Sequence, residues 1–180
     1  RARRRERLGA IVLKEERLSE PDPRAVTSVL LDVVRREGIA SLPWRDEART
    51  RRERIAFLRT RHSEWPDVSD DALLARLDEW LAPILAGRSS LAELPGDLDR
   101  ALMSMLDWEK KAQLDRLAPT HYVAPTGTRV AIDYSDPSAP SIAIRLQEMF
   151  GVRATPTIGG GAVPLTVELL SPARRPVQVT

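Results

Sequence analysis

Val130-Ala131-Ile132-Asp133-Tyr134, followed by Ile142-Ala143-Ile144-Arg145-Leu146 and Leu165-Thr166-Val167-Glu168-Leu169, is the stretch that decides the fold. Apolar residues alternate with polar or small ones, the period of a strand with one face buried. Turn signals separate these runs: Pro125-Thr126-Gly127, Asp136-Pro137, Gly151, Gly159-Gly160-Gly161 and Ser171-Pro172. The spacing predicts a small antiparallel sheet or partly closed barrel over residues 119–180, with one helical turn near Gln147–Phe150. The triple glycine reads as a hairpin turn using positive φ. It lacks the lysine and the preceding buried strand of a phosphate cradle.

Upstream the period changes to helical. Asp22-Pro23 is a helix start, Val26, Val29, Leu30, Val33 and Val34 make one stripe, and Gly38 follows Arg35-Arg36 at the end. A second helix is predicted over about 45–61. A third opens at Ser69-Asp70-Asp71, carries Leu73 through Leu85 and closes at Gly87. Two shorter ones are expected with Asp97 and Asp107 as caps. Together they form a layer of about five helices across residues 20–118. Residues 1–19 hold a basic run and a strand near 8–13, continuing from a unit upstream. The whole is read as α+β.

At 180 residues, 42% hydrophobic and 30% charged, the chain can bury a core and is not globally disordered. It has no cysteine, which excludes disulfides, thiol catalysis and thiolate metal sites and suits a cytoplasmic location. No apolar run reaches the roughly 20 residues of a membrane span. Net charge is only +2, yet nearly all the positive charge is arginine. Arginine pairs bidentately with phosphate, and a GC-rich genome also favours its codons.

Catalytic signatures are missing. There is no phosphate loop and no Asp-Glu-x-His. His62 and His121 lie in different halves, and neither has a second ligand at helical spacing, so a metal site or a Ser/His pair is not expected. Asp70, Asp71, Asp78 and Glu79 are read as capping and solvating groups. The tryptophans at 44, 65, 80 and 108 are read as core.

Two arginine clusters remain as candidate nucleic-acid contacts. The first is Arg1, Arg3, Arg4, Arg5 and Arg7. The second is Arg45, Arg49, Arg51, Arg52, Arg54, Arg59 and Arg61, in which Arg45, Arg49 and Arg52 fall on one side of the predicted helix and Arg59 extends that side. Such a stripe can track a phosphate backbone. The competing reading is a solvated face partly neutralised by Asp46, Glu47 and Glu53.

Several words of the sequence carry a family likeness: Leu-Ala-Pro-Thr-His at 117–121, Pro-Thr-Gly-Thr-Arg at 125–129, Arg-Leu-Gln-Glu-Met-Phe-Gly at 145–151, Leu-Leu-Ser-Pro at 169–172 and Arg-Pro-Val-Gln-Val at 175–179. They resemble the C-terminal region of the bacterial HrpB family, ATP-dependent helicases of the DEAH-box type. Arg-Arg-Arg-Glu-Arg-Leu-Gly-Ala at 3–10, Ser41-Leu42-Pro43-Trp44 and Trp80-Leu81-Ala82-Pro83 extend the likeness upstream. The resemblance implies a parent that uses ATP and Mg on upstream helicase domains and binds RNA or another nucleic acid. No nucleotide-binding residue of the family maps onto this sequence, so no cofactor is expected here. Ala162 departs from the basic residue usual after the glycines, and the family's aromatic, basic closing segment would follow Thr180.

The expectation is therefore a non-catalytic accessory region whose partners are the upstream helicase domains and RNA, with no membrane. The rival is a protein-interaction module without nucleic-acid contact.

Overall fold

The computed structural model describes residues 22–171, together with the strands Arg3–Leu8, Ile11–Arg17 and Pro176–Val179. At the start, β1 (Arg3–Leu8) pairs antiparallel with β2 (Ile11–Arg17), with Arg4 opposite Glu16 and Arg5 opposite Glu15. Two strands thus replace the single one expected near 8–13. The arginine-rich run pairs as a strand in its own right.

The first helix, α1 (Pro23–Glu37), begins and ends where its signals predict. The Asp22 carboxylate accepts from the Arg24 backbone N–H at 3.0 Å, and Gly38 takes φ 86° at the C-cap. α2 (Asp46–Arg61) follows a connection held by Trp44, whose indole donates to the Ile39 carbonyl at 2.9 Å.

The long third helix is instead three short ones: α3 (Asp70–Ala75), α4 (Leu77–Trp80) and α5 (Ala82–Leu85). Two causes are visible. The Trp80 indole donates to the Leu73 carbonyl at 2.9 Å, the acceptor that the Leu77 N–H would use in a continuous helix. Pro83, with no N–H, removes another ladder bond four residues past Glu79. Leu73, Leu77, Trp80, Leu81 and Leu85 are buried all the same.

α6 (Asp97–Ser104) differs from expectation at its start. Gly96 is the cap position, and Asp97 lies inside the helix, where its buried carboxylate takes Arg88 at 2.7 Å and Arg100 at 3.0 Å. α7 (Trp108–Leu117) is capped by Asp107 as predicted, with the Lys110 N–H at 2.8 Å.

The rest is a five-stranded sheet in the order β3-β4-β5-β8-β9: β3 (His121–Val123), β4 (Arg129–Asp133), β5 (Ser141–Arg145), β8 (Thr166–Leu170) and β9 (Pro176–Val179). Between β5 and β8 the chain makes a 3₁₀ turn at Leu146–Met149, the helical turn expected there, and a small hairpin, β6 (Thr157–Ile158) with β7 (Val163–Pro164). Gly159, Gly160 and Gly161 turn this hairpin at φ 63°, 70° and 94°. The α+β reading stands, but the sheet is mixed and open. β5 and β8 run parallel, from Ser141 opposite Thr166 to Arg145 opposite Leu170, and among the described residues no barrel closes. Parallel pairing follows because a connection of some twenty residues separates the two strands, long enough to return the chain to the same end.

Two apolar clusters hold the molecule. One joins Phe57 and Leu58 of α2 and Leu114 of α7 to Tyr134, Ile142, Ile144 and Val167 of the sheet region. The other gathers Leu31, Val34, Leu73, Leu77, Leu81, Leu85 and Leu98 from α1 and α3–α6. Trp44 and Met105 pack against both clusters. Each such side chain contributes about 1.5–3 kcal/mol on burial, so α2 is fixed from two sides. Trp65 and Trp80 are core as read, whereas Trp108 is 81% exposed.

Candidate nucleic-acid interface

α2 uses its arginines in two ways. Arg51 and Arg54 lie on the side that carries Ala48, Ile55 and Leu58, and both are spent on internal bonds. Arg51 forks onto Asp99 of α6. Arg54 is buried, donating to the Ala118 carbonyl at 2.6 Å and to Asp115 at 2.5 Å. The sequence reading counts these two in the second arginine cluster but not on its candidate stripe.

The opposite side of α2 forms one wall of a groove of about 440 Å³. Arg49, Arg52 and Arg59 line it, with Glu53, Ala56 and Thr60 between them. Across from them stand Asp67, Val68 and Ser69, and Tyr134, Ser135 and Pro137 from the segment after β4. From Arg49 to Arg59 the helix rises about 15 Å. The small side chain of Ala56 leaves the middle of this wall open.

The guanidiniums are held at different stringency. Arg52 donates to the Val68 carbonyl at 2.7 Å and to Asp70 at 2.5 Å, and lies over the Trp44 ring at 5.4 Å. Arg59 reaches the Ser63 and Trp65 carbonyls, the latter at 2.9 Å. Arg49 is the loosest, bonding Asp46 at 3.2 Å with 58% of its side chain exposed. An exposed pair of this kind stabilises little and exchanges readily for another anion. Arg45 is exposed at the head of α2 beside Asp46 and Glu47, and is not brought into the groove. Arg3, Arg4, Arg5 and Arg7 lie on β1, but their side chains, like the whole of Arg1, fall outside the described residues.

Two carboxylates complete the groove. Burial raises the Glu53 carboxyl above its ordinary range, with the Asp133 charge adding to this, while Arg49 and Arg52 offset only part. Asp67 is lowered, chiefly because it accepts the Ser69 backbone N–H at 2.9 Å. At the floor, the buried Tyr134 hydroxyl donates to the Pro119 carbonyl at 2.7 Å, and burial raises its phenol. It is a structural post with its proton committed.

Elsewhere, His121 Nδ1 meets Thr120 Oγ1 at 3.0 Å, a local bond at the junction of helix and sheet. Asp70 and Asp78 pair with Arg52 and Arg35, and Glu79 with Arg76. Among the described residues, no group of three or more His, Asp or Glu is placed to hold a metal ion. None of the described helices is long and apolar enough to cross a membrane.

Comparison with known proteins agrees with the likeness in the sequence. Residues 80–180 match the HrpB_C family, described as ATP-dependent helicase C-terminal. The chain is 41% identical over 183 residues to the ATP-dependent RNA helicase HrpB of Escherichia coli (strain K12), an alignment covering 100% of this chain and 23% of that protein. Its fold matches the crystal structure of the E. coli DExH-box NTPase HrpB with a TM-score of 0.80 at 41% identity. It also matches the crystal structure of the Escherichia coli DEAH/RHA helicase HrpB with a TM-score of 0.76 at 39% identity. In both, all of this chain is covered and 23% of the other. The present sequence thus spans 23% of the length of the relatives it matches. With the family model, the sequence identity and the fold match all in agreement, the chain belongs to the HrpB family of ATP-dependent helicases, to its C-terminal region.

Proposed function

We propose that this chain is a non-catalytic accessory region of an HrpB-type helicase, contributing scaffold and a phosphate-contacting groove on α2. The observation that carries the reading is the placement of Arg49, Arg52 and Arg59 along one wall of one groove. ATP and Mg would act on other domains of the same polypeptide, and the strand would be RNA, since the E. coli relative is named an RNA helicase.

A salt titration tests this. Three phosphate contacts on a single strand give a slope of about −2 in log K against log salt. Arg49→Glu is the cleanest variant, because among the described residues Arg49 holds nothing but Asp46 and, weakly at 3.4 Å, the Trp44 carbonyl. It should weaken RNA binding and flatten the slope while the far-UV circular dichroism stays unchanged. No binding at low salt would remove the nucleic-acid part of the proposal.

One observation favours the second reading, a protein-docking module. An apolar cavity of about 500 Å³ opens beside the 3₁₀ turn, lined by Met149, Val152, Leu165 and Val167, with Leu146 and Phe150 exposed nearby. Retained binding of protein partners by a chain that ignores RNA would favour it.

A further inference from the structure

The apolar cavity of about 500 Å³ beside the 3₁₀ turn is held open by its own walls. Met149, Val152 and Pro156 line it from the connection between β5 and β8, and Leu165, Val167 and Leu169 line it from β8 and the residue before it. Both linings are pinned. The Leu165 N–H donates to the Pro156 carbonyl at 2.8 Å, and the Val152 N–H to the Met149 carbonyl at 3.1 Å. Thr157 faces Pro164 across the β6–β7 hairpin. With φ fixed at both prolines, the walls have little freedom to slide together and fill the gap.

Beside the cavity, Leu146 is 49% exposed and Phe150 71%. Full burial of each side chain is worth about 1.5–3 kcal/mol, and much of that is unrealised here. Hydrophobic residues scattered singly over a surface carry no message, but apolar side chains gathered around a concave site mark a contact surface.

The size of the site bears on what covers it. Twelve residues line the cavity, whereas a stable complex between separate proteins engages about 20–30 residues a side. A site this small holds its occupant best when the two are tethered, because a short flexible linker supplies a millimolar effective concentration without any further contact. The relatives offer such a tether: this chain spans 23% of their length.

We propose that the cavity is an internal docking site: a segment of the same polypeptide, outside these 180 residues, seats an aromatic or aliphatic side chain against Met149, Leu165 and Val167 and covers Leu146 and Phe150. The proposal rests on the family membership and is independent of the RNA reading. It gives the cavity a tethered occupant in place of the separate protein of the second reading, and docking there fixes this region against the rest of the helicase.

The test puts p-benzoylphenylalanine in place of Phe150 in the full-length polypeptide, at a position exposed enough to accept the larger ring. The purified protein is irradiated, and denaturing electrophoresis and mass spectrometry identify what the ring reaches. The expected product has the mass of one polypeptide and joins position 150 to an apolar segment outside the 180 residues. Peptides spanning 146–156 and 163–169 should also exchange amide hydrogens at least about tenfold more slowly in the full-length protein than in the 180-residue chain. Phe150→Ser and Leu146→Ser together, both at exposed positions that the fold does not need, should remove most of that protection. A product of twice the mass would make the occupant a second copy and overturn the proposal. Crosslinks confined to the 180 residues, no crosslink at all, or equal exchange in the two proteins would each overturn it as well, and none of these results would touch the phosphate groove.

Discussion

Arg54 on α2 donates to the carbonyl oxygen of Ala118, at a distance of 2.6 Å across a sequence separation of 64 residues. Its side chain is 4% exposed, while that of its second partner, Asp115, is 85% exposed. The bond ties the central helix to the point where the chain leaves α7 for the sheet. Replacing Arg54 with Ala strands that carbonyl and opens a void, and we expect a loss of about 3 kcal/mol in urea unfolding. Arg54→Lys should recover part of the loss, since a single ammonium cannot reach both acceptors as the planar fork does. A loss under about 1 kcal/mol for the Ala variant would mean that the junction is held by packing alone.

The tryptophans should separate sharply. Trp65 is 1% exposed within the cluster under the sheet, so Trp65→Ala should cost about 3–5 kcal/mol. Trp108, 81% exposed, should change stability by no more than about 0.5 kcal/mol when replaced by Ala. Thermal melts of the two variants check this directly.

Glu53 gives a pH-dependent expectation whose sign is fixed. Its folded-state carboxyl titrates above the ordinary value because burial disfavours the charge. The protonated form is therefore favoured by folding. That contribution is fully present below the unfolded-state value and is lost as pH rises through the folded-state one. Glu53→Gln should accordingly raise the melting temperature at pH 7, with the gain shrinking as pH falls through the carboxylate range. A gain that grows on acidification would show that Glu53 is stabilised as an anion.

The glycine turn should be sensitive to backbone shape and insensitive to size. Gly160 sits at φ 70° with open space around the position a Cβ would take. Gly160→Ala should thus cost about 1–2 kcal/mol through conformation alone, and Gly160→Asn less. Equal costs for the two substitutions would point to a contact that the geometry does not contain.

Much of this was legible from the residues, and the exceptions have definite causes. The wheel of α2 already sets Arg51 and Arg54 beside Ala48, Ile55 and Leu58, so their burial follows from helical period once charge is not taken as proof of exposure. On the wheel of α7, Trp108 falls opposite Leu117, against its reading as core. The break at Pro83 was visible in the sequence, but the break at Arg76 depends on the Trp80 indole choosing the Leu73 carbonyl, a tertiary event. Alternation is identical in parallel and antiparallel strands, which is why the β5–β8 pairing could not be read from it. Glu53 was read as one of three neutralising acids. Only the walls contributed by Val68 and Tyr134, distant in sequence, distinguish it from Asp46.

The parallel partnership of β5 and β8 also bears on how the molecule is made. During synthesis β3, β4 and β5 emerge as a meander whose outer edge, Ser141–Arg145, has no neighbour until Thr166–Leu170 leaves the ribosome. At about 5–20 residues per second the nascent chain carries that open flank for one to several seconds. The apolar residues on it, Ile142 and Ile144, are then the segment for which a chaperone or an aggregating neighbour would compete.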